Sequence, residues 1–491
     1  MVQKTLSEKN LTDYISKYSL PISSVAIYLF AILLKIAIYP SIPLSYDEIA
    51  YSITAKNIVL SGSWLNIYGS TDLFFFPPLF NWLSAILIWC GVEQVVAVRA
   101  VSMVVSSGIP VMIYLLMVKS GFSKKSSFFA SLLWIIFPSS IYYSVVGQVE
   151  TTFLFFVLLS LYAVSEKREV WHVVASAFFL AAAVWVKETA LGFVFVFTTL
   201  FLLKKEFKAL ALWGASVFLF CLPLFIQSLL PNEYDLFFEL SNDLINWKEI
   251  SFSQPFENLA LLAGFFAVGK VAKVISVLTV FALIATTSII AFKKHPDSFL
   301  IKFAIFSNLV FLPFFIIFPK KFEYYLLPTL LFSTVLIVAS LKNRAFFFMI
   351  IISFTIWGSF NGLKQKSLLS EHYSDTMNLL MLVATEKPGA SVGVTTPHIA
   401  IYIKERHNLD LKIVPLDFFS GYDPNNCKEK EDRCILKNDY FLSNDEFFLV
   451  LFCKKWPIEK ENCDLNQMKK VVAKIKKEKN NNTVSLYKCQ N

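Results

Sequence analysis

The chain has 491 residues, 56% hydrophobic and 16% charged, with 50 phenylalanines. This excludes an ordinary soluble domain, and several apolar runs approach the roughly 20 residues a helix needs to cross a bilayer. The formal net charge of +9 therefore reads as loop lysines and arginines that set membrane orientation, with no nucleic-acid affinity implied.

The first apolar run follows a polar segment of about 20 residues and has no small-residue cleavage site, so a first transmembrane helix is expected there rather than a cleavable signal peptide. Spans are expected near 22–40, 97–118, 126–144, 149–165, 172–186, 189–203, 209–230, 271–292, 299–318, 323–341 and 345–361. With the N-terminus inside, the cytoplasmic segments hold fifteen Lys and Arg and the outer loops six: Lys56, Lys187, Lys248, Lys270, Lys320 and Lys321. That bias predicts a cytoplasmic N-terminus, and eleven spans put the tail outside. Residues 79–90 are apolar but short, and letting them span would turn Lys119, Lys124 and Lys125 outward. Helices are therefore predicted at 46–60 and 79–90 on the outer surface, within one long first outer loop, 41–96. Residues 258–269 read as a further surface helix.

Residues 1–361 thus form a membrane domain, and 362–491 are a different material. Strand-like runs at 390–396, 411–415, 447–453 and 483–489 alternate with helical patterns at 398–406 and 466–478, which predicts a small extracytoplasmic α/β domain. It holds Cys427, Cys434, Cys453, Cys463 and Cys489. An outer location permits disulfides, but five is odd and spacing does not give the connectivity. Cys427–Cys434 is the first pair to test. Cys90 and Cys221 read as packing residues.

Two carboxylates, Asp47 and Glu48, stand together just after the first span. Ser45-x-x-Glu48 has capping-box spacing, and acids in a first helical turn suit the helix dipole; this leaves Asp47 without a structural role. Downstream come Gly62, Trp64, the segment FFFPPLFNW (74–82) and VRAVS (98–102). Pro77-Pro78 reads as a turn that starts a helix at Leu79, and Arg99 as a side chain snorkelling at a helix end.

Taken together these residues resemble the GT-C class of polyprenyl-phosphate-sugar-dependent glycosyltransferases, which includes protein O-mannosyltransferases and bacterial aminoarabinose transferases. The resemblance lies in Asp47-Glu48 with Tyr51 and Ala55 on a surface helix, then Pro77-Pro78-Leu79, then Arg99 opening the second span. Glu150 in GQVE, Lys187 in VWVKETAL, and KKFEYYLLP (320–328) with Lys320, Lys321 and Tyr324 continue it, over roughly residues 20–345. The family's Lys or Glu before the Pro-Pro is absent, since Phe76 stands there, and so is the Trp-Trp-Asp pattern of oligosaccharyltransferases. The resemblance implies a GT-C-like fold of about 11 transmembrane helices. It further implies transfer of a sugar, mannose or similar, from a polyprenyl (dolichyl-type) phosphate to a lipid, glycan or protein acceptor at the outer face of the plasma membrane.

That chemistry suits these residue types. An acceptor hydroxyl is a poor nucleophile, and a carboxylate within reach can take its proton; Asp47 is expected to be that base, with inversion at C1. The phosphate leaving group needs no acid, only fixed positive charge, which Lys187, Arg99, Lys320 and Lys321 can supply. Snorkelling beside headgroups is the rival reading for Lys320 and Lys321. Glu48 is expected to position Asp47, raise its pKa by like-charge repulsion or bind the acceptor, and Glu150 and Tyr324 to contact substrate. The five histidines show no metal-ligand spacing, so no structural zinc is expected, while a divalent metal stays open. Asn481-Asn482-Thr483 is a glycosylation sequon. A lipid-linked sugar flippase is the alternative, but it calls for internal repeats and midplane charges. An assembly protein acting through its tail is the third reading.

Overall fold

The computed structural model describes residues 2–42, 44–62, 77–165, 169–228, 270–317, 323–340, 377–385, 387–394, 397–415, 440–443 and 485–488. The contacts divide the chain into two units. One is Met1–Ile42 with Ala55–Gly362, the other Pro43–Thr54 with Leu363–Asn491.

The first unit is helical. In chain order it holds α1 (Val2–Ile38), the C-terminal part of α2 (Tyr46–Ser61), α3 (Pro78–Trp89), α4 (Gln94–Ser106), α5 (Gly108–Lys119), α6 (Lys124–Ile136) and α7 (Pro138–Val145). These are followed by α8 (Val149–Val164), α9 (Val170–Val186), α10 (Gly192–Leu203), α11 (Phe207–Ser228), α12 (Lys270–Lys294), α13 (Phe299–Ile317) and α14 (Leu327–Ser340). Among the described residues, three stretches are long and apolar enough to cross a membrane: Leu20–Ile38, Gln94–Lys119 and Phe207–Ile226. A fourth is added if α6 and α7, bent by 62° at their junction, form one span. The bend follows from Pro138, whose ring cannot continue the α6 hydrogen-bond ladder but suits the first turn of α7. The 345–361 span and the 258–269 helix lie outside the described residues.

Small residues and aromatics set the packing. On α8 and α9 the Ser160 hydroxyl donates to the Ser176 carbonyl at 2.7 Å, and the Trp213 indole N–H of α11 reaches the Ser176 hydroxyl at 3.2 Å. Small polar contacts of this kind let helices approach closely where lipid removes the hydrophobic drive to associate. Phe193, Phe197 and Phe201 recur every fourth position along α10 and form one stripe. They meet Phe303 and Phe311 of α13, Phe332 of α14 and Trp213, with ring centroids 4.5–6.0 Å apart.

The second unit contains the first turns of α2, helix α15 (377–385), α16 (Pro397–His407) and four strands: β1 (Ala390–Val394), β2 (Leu411–Pro415), β3 (Tyr440–Ser443) and β4 (Ser485–Lys488). The sheet order is β2-β1-β3-β4. β1 runs parallel to both β2 and β3, while β3 and β4 are antiparallel. α16 is the crossover that parallel β1 and β2 require. Strand β3 was not among the expected runs. The 447–453 and 466–478 segments and all five tail cysteines lie outside the described residues. Cys221 is buried, but Cys90 is exposed, which corrects its reading as a packing residue. It sits in the turn after α3, where Gly91 at φ +89° reverses the chain, so its side chain leaves the packed face.

Candidate active site

The predicted site residues are carried by helix ends. α2 starts with a complete capping box: the Ser45 backbone N–H donates to Glu48 Oε2 at 3.0 Å, and the Glu48 N–H donates to Ser45 Oγ at 3.3 Å. Each group satisfies an end donor that the helix leaves open. Glu48 is fully buried and Asp47, beside it in the first turn, is half-buried. Both belong to the second unit.

In the first unit Pro77 and Pro78 do start a helix, with Pro78 as its first residue and Pro77 before it. α4 begins at Gln94, three residues before the expected span, because Glu93 caps it by accepting from the Val96 N–H at 2.9 Å. Arg99 is 4% exposed, which corrects its reading as a snorkelling side chain. Its guanidinium donates to the Ile42 carbonyl at 3.2 Å and lies over the Tyr39 ring at 5.0 Å. It ties the end of α1 to the second turn of α4.

Glu150 and Lys187 meet. Glu150 lies in the first turn of α8, where a negative charge suits the helix dipole. Lys187 caps the C-terminal end of α9, where a positive charge does. Its Nζ donates to Glu150 Oε1 at 2.5 Å, with both side chains buried. The Tyr325 ring of the 3-10 turn Glu323–Leu326 lies 5.2 Å from the same Nζ. Three chain segments thus converge on one cation. Tyr324 shares that turn, while Lys320 and Lys321 lie outside the described residues, as does Trp64. The sequence reading treated Glu150 and Lys187 separately and did not foresee their pairing.

Two further polar residues went unnoticed. Lys35 is buried in the first span, and its Nζ donates to Ser106 Oγ at 2.7 Å and Ser107 Oγ at 3.2 Å, at the break between α4 and α5. A lysine inside a 19-residue apolar stretch was the available signal. Asn81, three residues past Pro78, is 1% exposed, and among the described residues neither its amide nitrogen nor its amide oxygen has a hydrogen-bond partner. An asparagine inside so apolar a helix was the corresponding sign. Among the described residues no three His, Cys, Asp or Glu side chains cluster as a metal site requires.

No known family model matches the chain, and no curated protein sequence matches it. Solved structures that resemble it include those of ArnT from Cupriavidus metallidurans, in the apo state and bound to undecaprenyl phosphate. Each aligns over 89% of this chain and 95% of its own, at 14% identity and a TM-score of 0.46. That likeness assigns no residue a role.

Proposed function

We propose that the chain is an integral-membrane glycosyltransferase of the GT-C type, moving a sugar from a polyprenyl phosphate to an acceptor hydroxyl at the outer face. The observation that carries the reading is the buried Lys187–Glu150 pair beside Tyr325. Ionisable side chains within a membrane bundle are expensive, and where they persist they mark substrate or ion paths. A fixed cation is what a phosphate leaving group requires. Arg99, buried in the same unit, is a second fixed positive charge.

In this reading Asp47 is the base that takes the acceptor's proton as its oxygen attacks C1, with inversion, and Glu48 holds the helix that presents it. Lys187 and Arg99, with Lys320 and Lys321, carry the charge growing on the departing phosphate. Glu150 orients Lys187, and Tyr324 contacts the donor. Mannose is the sugar and a dolichyl-type lipid the carrier that the resemblance favours. Eleven spans, a cytoplasmic N-terminus and an extracytoplasmic 362–491 domain complete the proposal.

The test is purified protein in nanodiscs, supplied with polyprenyl-phosphate sugars and a cell extract as acceptor source, with release of polyprenyl phosphate followed over time. Release by the wild type that drops about 100-fold or more in Asp47→Asn supports the assignment. Equal release by both moves the base elsewhere. Absence of turnover with every donor removes the transferase reading and favours a flippase.

A further inference from the structure

Among the described residues of the first unit, Asn81 is a buried amide whose nitrogen and oxygen both lack a hydrogen-bond partner. It is almost wholly buried, it carries two donors and an acceptor, and none of them is paired. An amide taken out of water without partners is costly, and native folds retain one only where something else completes it. Its neighbours do not: the Ser84 hydroxyl, one turn on, donates to the Phe80 carbonyl of their own helix.

Its position is informative. α3 packs against both α4, which carries Arg99, and α9, which ends at Lys187. Trp82, the next residue, meets Trp185 with ring centroids 5.4 Å apart, two residues before Lys187. The first turn of α3 is thereby set against the end of α9 that holds the Lys187–Glu150 pair. Thr329 of α14 lies one turn past Tyr325, whose ring faces Lys187; it is 2% exposed, and among the described residues its hydroxyl likewise has no partner.

The chemistry of these groups selects their ligand. A phosphate only accepts hydrogen bonds and is matched by lysine or arginine. An amide and a hydroxyl, each able to donate and accept, match groups that do the same, and a sugar ring presents several. Resting on the transferase reading above, we infer that Asn81, with Thr329, forms a neutral subsite that reads the hydroxyls of the donor sugar beside the cations that hold its phosphate.

The experiment measures binding of bare polyprenyl phosphate and of its mannosyl, glucosyl and aminoarabinosyl derivatives to the full chain in nanodiscs. The wild type is expected to bind at least one sugar-bearing lipid more tightly than the bare one. Asn81→Leu, of similar volume, is expected to lose about 10- to 100-fold on that lipid while keeping its affinity for bare polyprenyl phosphate. Thr329→Val is expected to lose less, with the same split. Unchanged preference for the sugar-bearing lipid in Asn81→Leu overturns the subsite. Where that variant does not fold, Asn81→Ala, which also removes both polar atoms, is read against the same criterion. A wild type that binds bare and sugar-bearing lipid equally overturns the subsite alone, and one that binds no polyprenyl phosphate overturns the transferase reading with it.

Discussion

Glu150 and Lys187, 37 positions apart, close a buried ion pair between the start of α8 and the end of α9. The two helices run side by side, so this contact locks their ends as the Ser160–Ser176 contact locks their middles. Removing one partner strands the other charge. Lys187→Met or Glu150→Leu alone is expected to cost about 3–5 kcal/mol, and the double variant much less than the sum. Unfolding in detergent measures this. On the transferase reading proposed above, activity is expected to stay lost in the double variant although stability returns, an outcome that a purely structural pair would not give.

The α2 cap gives a second expectation. Ser45→Ala and Glu48→Ala each remove one half of the reciprocal box and are expected to lower stability by roughly 0.5–2 kcal/mol. Glu48→Gln keeps an acceptor and is expected to stay near the wild type. Asp47→Asn is expected to leave the melting temperature within a degree or two while, on the proposed transferase reading, lowering sugar transfer about 100-fold or more. A melting series beside donor turnover checks all four variants.

Gly108 opens α5 directly against α8. A Cβ built there meets Phe155 Cε2 at 2.3 Å and Cδ2 at 2.9 Å. Gly108→Ala is therefore expected to cost about 1–3 kcal/mol through overpacking. Adding Phe155→Leu should recover part of the loss, because the two changes share one contact. Additive losses in the double variant count against this account.

His295, just past α12, gives a pH dependence. Burial first, then the neighbouring Lys294 charge, hold its pKa below the ordinary 6.5. The C-terminal end of α12 would by itself favour the protonated ring, so burial outweighs the dipole here. The Phe122 ring lies 4.6 Å away. Because the folded pKa is lowered, the unfolded chain takes up a proton first as pH falls. The contribution of His295 is complete above pH 6.5 and is lost as pH drops through the folded pKa. Melting curves between pH 7.5 and 5 are expected to fall less steeply for His295→Gln than for the wild type.

What could be read in advance follows the range of the interaction. Ser45 and Glu48 sit three residues apart, so their cap was visible in spacing alone. The stripe Phe193, Phe197, Phe201 follows from helical period. Strands β1, β2 and β4 fall within the expected apolar runs, whereas β3, Tyr440–Ser443, does not. Contacts between distant segments were not legible. Nothing local in GQVE or WVKE says that Glu150 and Lys187 meet, and nothing near Arg99 says that it turns inward to Tyr39 and Ile42. Cys90 misled because an apolar run was taken to pack along its whole length, while the turn that ends it faces away. Asn81 was passed over because its neighbours look like filler for an apolar helix.

Lys35 carries a consequence for biogenesis. Its hydroxyl partners lie 71 and 72 residues further along the chain, so they emerge from the ribosome well after the first span is available for insertion. Until then that helix holds an ammonium within its apolar stretch, a placement the bilayer disfavours. The groups that satisfy this ammonium are therefore made later than the span that carries it, and the serine pair at the α4–α5 junction is where the two are joined.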